Sequence, residues 1–145
     1  MADNKQTSHH AEPHKVREAT RNAAFEAHLA TEAIENPDSE KTDLRKDKEA
    51  VRAIEEAVDV LEQAVGEPTT NNHTTRKILH EEERALVAEQ KAVHRADKGY
   101  TAMQDHASII AEQLSADAAE IAEQAGEKQR EYLNYEFGKD DETVW

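Results

Sequence analysis

Apolar residues return along this chain at helical spacing almost throughout. Val16, Ala23, Ala27, Ala30 and Ile34 fall on one face of a helix, and Phe25 and Leu29 widen that stripe. The pattern predicts a first helix beginning at Pro13, a residue tolerated in the first turn because the N–H it lacks would be unpaired there anyway. "ENPDSE" should end it. Pro37 disfavours the helical conformation at Asn36, and Asn-Pro supplies an N-cap followed by a first-turn proline. A second helix is predicted over roughly 38–65, where Val51, Ile54, Val58, Leu61 and Val65 step by 3, 4, 3 and 4 residues, the alternation of a coiled-coil seam. Ahead of these residues, "EKTDLRKDKEA" is nearly all charge and is expected to be solvated. "GEPTTNNHTT", residues 66–75, carries the plainest loop signal.

From about residue 75 to 137 one series dominates: Leu79, Leu86, Val93, Tyr100, Ala107, Leu114 and Ile121 recur every seven residues. A seven-residue period held this long implies a left-handed supercoil if the helix is continuous. The companion position (Glu82, Glu89, Ala96, Met103, Ile110, Asp117, Gln124) is polar at its start and apolar near 103–114. "DKGYTAMQ" points the other way. Gly99 could close one helix, and Thr101 with Gln104 has capping-box spacing for opening another. The unbroken phase across Gly99 favours one long helix; a break there would make a four-helix bundle. No β signal is present. The expected fold is all-α, an antiparallel hairpin or bundle of three to four helices with coiled-coil character and a long C-terminal helix. Residues 1–12 form a flexible polar N-terminus and 13–137 a single bundle domain. An acidic tail, 138–145, leaves the helix at Gly138 and ends in Trp145.

Composition thins the core this fold could have. Leu, Ile, Val and Phe number 23, about 16% of the 145 residues, against 24 alanines. That share lies under the ~20% below which highly charged chains tend to disorder. Narrow alanine-rich stripes release little free energy at about 25 cal/mol per Å² buried. Part of the stability is therefore expected to come from other chains. The net charge of −14 repels nucleic-acid backbones and anionic membranes, so binding to either is not expected. Such acidity would suit a basic partner, a nucleic-acid mimic or a salt-rich cytoplasm. The absence of cysteine removes disulfides and thiolate metal sites. No apolar run approaches the ~18 residues of a spanning helix, and the first residues carry no apolar signal core. The expected location is the cytoplasm, or a viral particle produced there.

Candidate chemistry adds little. A di-iron bundle needs Glu-x-x-His pairs, and no glutamate here has a histidine three residues on. The remaining candidate donors are His28 with Glu32, His80 with Glu83, and His94. His80 and His94 lie fourteen residues apart, about 21 Å along a helix, too far to share an ion within one chain. No metal or cofactor is expected. Glu82 and Glu89 occupy the weaker seam position, where a buried, unpaired carboxylate would cost several kcal/mol or take up a proton. They are expected to be exposed at a splayed end or paired with Arg76, Lys77, Arg84, Lys91 or Arg95; a paired-carboxylate or metal site is the alternative. There is no nucleophile elbow and no phosphate-cradling loop, so enzymatic activity is not expected. Gly99 to Glu127 holds six acids and no Lys or Arg, an acidic face that could receive a basic partner. The reading that follows is a non-enzymatic structural or interaction protein that self-associates or docks into a larger assembly, of scaffold or virion type. Its contacts would be Leu79, Leu86, Val93, Tyr100, Met103, Ile110 and Leu114, with Trp145 in "ETVW" as an anchor. The alternatives are a metal-binding bundle and an acidic nucleic-acid mimic that inhibits a basic partner.

Overall fold

A computed structural model describes residues 13–36, 40–65 and 72–144, with side-chain surroundings over 14–36, 44–65 and 73–126. The expected flexible N-terminus, 1–12, and Trp145 lie outside the described residues. Four helices follow in order: α1 (Pro13–Glu35), α2 (Glu40–Val65), α3 (Asn72–Asp97) and α4 (Thr101–Val144). No strand occurs among the described residues. Helix α1 packs against α2 and α4, and α3 against the same two, so the four close into a ring with α1 and α3 at opposite corners. Cross-links set the directions. Thr31 meets Ser108 and Arg21 meets Glu123, so α1 and α4 run antiparallel; Glu82 with Ser115 and Arg95 with Met103 do the same for α3 and α4. The fold is an all-α bundle of four helices.

The expected continuity through Gly99 fails. Gly99 adopts φ 78°, the left-handed region that glycine enters without a Cβ clash. Its N–H donates to the Ala96 carbonyl at 3.0 Å, and the Tyr100 N–H reaches back to the Arg95 carbonyl at 2.9 Å. This pair of bonds is a Schellman cap, which satisfies two carbonyls left over at the end of α3. Helix α4 then opens with the Tyr100 carbonyl accepting from the Gln104 N–H at 2.8 Å, so Tyr100, rather than Thr101, stands at the cap. At the other end, α4 does not stop at Gly138 but runs to Val144.

Breaking the helix divides the seven-residue series. Leu79 and Leu86 are half-buried against the apolar clusters of the interior, and Val93 lies between α2 and α3 beside Val51. Tyr100 and Met103, by contrast, are exposed. The buried centre of α3 sits one residue earlier and one turn around, on Ile78, Glu82, Ala85, Glu89 and Ala92. The face expected on α1 is buried as anticipated, from Val16 through Ile34, except that Phe25 does not widen it. Phe25 points away from the core and is 56% exposed.

Alanine explains how so few large residues suffice. Among the described residues, fourteen of the twenty buried apolar side chains are alanines. Small side chains at the contacts let helix axes approach toward the near end of the usual 8–10 Å range. Where Arg17 of α1 crosses α4, Gly126 is buried beneath its side chain, and a Cβ there would collide with the guanidinium. The larger apolar residues form two clusters: Val16, Leu61 and Ile78 meet Ala118 and Ala122, while Ile54 and Val58 pack with Ala23 and Ala85. The end of the bundle around the close of α1 and the start of α4 is filled by alanines and Ile34 interleaved with the polar groups Thr31, Asp47, Glu89, Gln104 and Ser108.

Candidate functional site

Two features stand out, one inside the bundle and one on its surface. The interior holds a line of polar side chains contributed by all four helices: Thr20 and Thr31 from α1, Asp47 from α2, Glu82 and Glu89 from α3, and Gln104, Ser108 and Ser115 from α4. Helical geometry puts them there. Asp47 lies three residues before Ala50 and seven before Ile54, both fully buried, so the α2 face that reaches the core carries a carboxylate into it. Gln104, Ser108 and Ser115 share a face with Ala111 and Ala118 in the same way.

The expectation that Glu82 and Glu89 are exposed or paired with Lys or Arg is overturned: both are 0% exposed. The bundle does not splay at this level because alanines draw α3 close to its neighbours. Glu82 Oε1 accepts from the Ser115 hydroxyl at 3.3 Å, while Oε2 has no hydrogen-bond partner. Burial pushes the Glu82 carboxyl up to about 8, and the single serine bond offsets little of that rise. Glu89 is raised further, first by burial and then by the carboxyl of Asp47 beside it. Two carboxyls in contact in a dry interior cannot both ionise, so the pair retains a proton. Asp47 Oδ2 also accepts from Gln104 Nε2 at 2.7 Å. Thr31 and Ser108 complete the layer with a hydroxyl–hydroxyl bond of 2.9 Å. The carboxyl beside Glu89 is thus that of Asp47, and not Glu82. Of the surface grooves, one between α3 and α4 and one between α2 and α3 are not lined by these carboxyls.

The candidate metal donors do not converge. His28 and Glu32 stand on α1, and His80 and Glu83 on α3 at the opposite corner of the ring; His94 is exposed farther along α3. Among the described residues no group of three or more His, Asp or Glu could hold an ion. His28 instead bridges two carboxylates, with Nδ1 at 2.7 Å from Glu112 and Nε2 at 3.2 Å from Glu32. The Glu112 hydrogen bond is the main reason its ring is raised above the usual histidine value. A little farther along the same seam, Asp105 raises Glu35 by like charge.

The surface feature is a groove of about 510 Å³ between α3 and α4. Its apolar lining is Val87, Ala88, Ala107, Ile110 and Leu114; around these stand His80, Arg84, Lys91, Arg95 and His106, with Glu83 as the one acid. Val87 is 51% and Ile110 37% exposed, and Met103 continues the same face of α4 toward Tyr100. Arg95 is anchored at this end by donating from Nη1 to the Met103 carbonyl at 3.2 Å. Of the residues expected at an interface, Met103, Ile110 and Leu114 therefore come together here with Tyr100 beside them, whereas Leu79, Leu86 and Val93 face elsewhere. The heptad reading missed Val87 and the Arg84–Lys91–Arg95 stripe because it followed the apolar phase alone. A basic stripe at seven- and four-residue spacing on so acidic a chain was the available signal.

Compared with known proteins, the chain matches no protein-family model, no curated protein and no solved structure.

Proposed function

We propose that this chain is a non-enzymatic interaction protein, a component of a larger assembly, that receives an acidic amphipathic helix in the groove between α3 and α4. One observation carries the reading: exposed apolar side chains and a run of cations are concentrated in one groove of a molecule whose net charge is −14. Contiguous exposed apolar surface edged by charge is typical of a docking site. Helices bind in such grooves through apolar residues on one face, while flanking charges fix the register and speed the encounter. The alanine floor gives the width, and Arg84, Lys91 and Arg95 select carboxylates at the edge.

The test uses synthetic helical peptides with a leucine and phenylalanine stripe, flanked by glutamate in one version and lysine in the other. Fluorescence anisotropy should show saturable binding of the glutamate peptide alone, lost at least tenfold in the Val87→Asp/Ile110→Asp variant. Equal binding of both peptides, or of neither, overturns the reading.

A further inference from the structure

We infer that the seam between the last turns of α1 and the first turns of α4 is a proton-operated clasp. It is shut while His28 and the carboxyls beside it hold their protons, and it parts ahead of the rest of the bundle as those protons leave.

The contacts found on this seam are those of protonated groups. His28 Nδ1 lies 2.7 Å from a Glu112 oxygen and Nε2 lies 3.2 Å from a Glu32 oxygen. A neutral imidazole has a single N–H and serves only one carboxylate; the imidazolium serves both. Two turns on, Glu35 stands against Asp105, whose charge is the first cause raising it, with Glu112 and Glu32 adding to the rise. Asp105 Oδ1 is buried with no hydrogen-bond partner. Among the described residues, no Lys or Arg makes an ion pair with Glu32, Glu35, Asp105 or Glu112. Behind the seam the titratable groups are again carboxyls, Asp47 of α2 and Glu89 of α3, and the charge of Glu112 is among the causes that raise Glu89. On the outside of α2, Arg45 and Lys46 both turn to Glu49.

Packing makes this part open first. Neither apolar cluster reaches beyond Ala23 on α1 or before Leu114 on α4. Past those limits the interior is built of alanines and Ile34, and the Thr31–Ser108 hydroxyl bond of 2.9 Å crosses between the two helices. Segments with few large apolar contacts are the ones that open locally. Toward the other end of α1, Arg21 pairs with Glu123 at 3.0 Å, and a guanidinium keeps its charge throughout. The seam thus has a fixed end and a titrating end.

The direction follows from the groups. His28 is raised above 6.5, chiefly by the Glu112 hydrogen bond, and Glu35 is raised above 4.5. Both hold a proton more tightly with the seam closed, so the clasp is complete at acid pH and weakens as pH climbs through the two raised values. Once His28 is neutral, Glu112 faces Glu32 and Glu35 as uncompensated like charges.

Amide hydrogen exchange of the full chain tests this, with each rate divided by that of an unstructured peptide at the same pH. From pH 6 to pH 8, protection over 28–35 and 104–111 should fall at least about threefold relative to 54–61 and 118–122. His28→Gln, a change at a half-exposed site, should show the weak protection of wild type at pH 8 already at pH 6. His28→Lys, whose charge persists at pH 8, should keep the strong protection across the range. A seam that stays in step with 54–61 and 118–122 at every pH overturns the clasp. So does a His28→Gln protein with the wild-type pH response, or a His28→Lys protein that loses protection as the wild type does.

Discussion

Glu82 shows how a single residue can run against the usual direction of acid chemistry. Its carboxyl has an ordinary value of 4.5 in the open chain and about 8 in the bundle, raised by burial. The folded state therefore holds the proton more tightly. Its contribution to stability is complete below 4.5 and drains away as pH climbs to about 8. At pH 7 keeping that proton costs on the order of 3 kcal/mol, at 1.36 kcal/mol per unit. Glu82→Gln retains the shape without the ionisation. Urea unfolding should find it more stable than the wild type at pH 8 by roughly 2 kcal/mol, the full amount being reduced by imperfect hydrogen bonding of the amide. The advantage should shrink toward pH 5. A variant less stable than wild type at pH 8 would mean that Glu82 is ionised and held by a partner.

At the level of elements, the turn at Gly99 decides whether the chain makes three helices or four. Nothing lies within 4 Å of the place a Cβ would occupy, so replacing this glycine meets no steric obstacle, only a backbone conformation at φ 78° that L-residues disfavour. Gly99→Ala should cost about 1–2 kcal/mol and lower the melting temperature by several degrees. A helix running straight through this position would give the opposite result, since alanine is there about 1 kcal/mol better than glycine. Thermal melts followed by circular dichroism distinguish the two by sign. The seven-residue series misled here because phase was preserved across the turn: Leu86 and Val93 on α3 and Ala107 and Leu114 on α4 keep their spacing in sequence while belonging to different helices. Periodicity measures which residues share a face only while the helix is unbroken.

The whole molecule inherits the behaviour of its carboxyls. Glu82, Glu89, Glu35 and His28 are all displaced upward, by burial for the first two, by Asp105 for the third and by Glu112 for the fourth. Each makes the folded state bind protons more avidly than the open chain, so all push stability the same way, toward acid. Lowering pH also relaxes the repulsion behind a net charge of −14, as the solution nears the isoelectric point of 4.9. The melting temperature should therefore rise steadily from pH 9 to about pH 5, in the reverse of common acid denaturation. Scanning calorimetry across that range checks it, and a maximum near pH 8 would contradict the buried, protonated carboxyls. Added salt should raise the melting temperature at pH 8 by screening surface repulsion.

Much of this was legible in the chain itself. Few helix breakers, abundant alanine and apolar residues at spacings of three and four dictate helices, because that backbone is the one which brings Val16, Ala23, Ala27, Ala30 and Ile34, or Ile54, Val58 and Leu61, onto one side. The class all-α followed, as did the start of α1 at Pro13 and the end of α2 at Val65. Tertiary structure decided the rest. Asp47 looks like a surface residue in sequence, and Glu82 and Glu89, though at a seam position, are carboxylates whose burial sequence alone argues against; all three are interior because the packing of neighbouring helices encloses them. The groove likewise exists only once α3 and α4 lie antiparallel, bringing Val87 level with Ile110 and the arginines of one helix beside the apolar face of the next. Helix formation is written in neighbours three and four residues apart. Burial and docking depend on residues tens of positions away, and only packing puts those side by side.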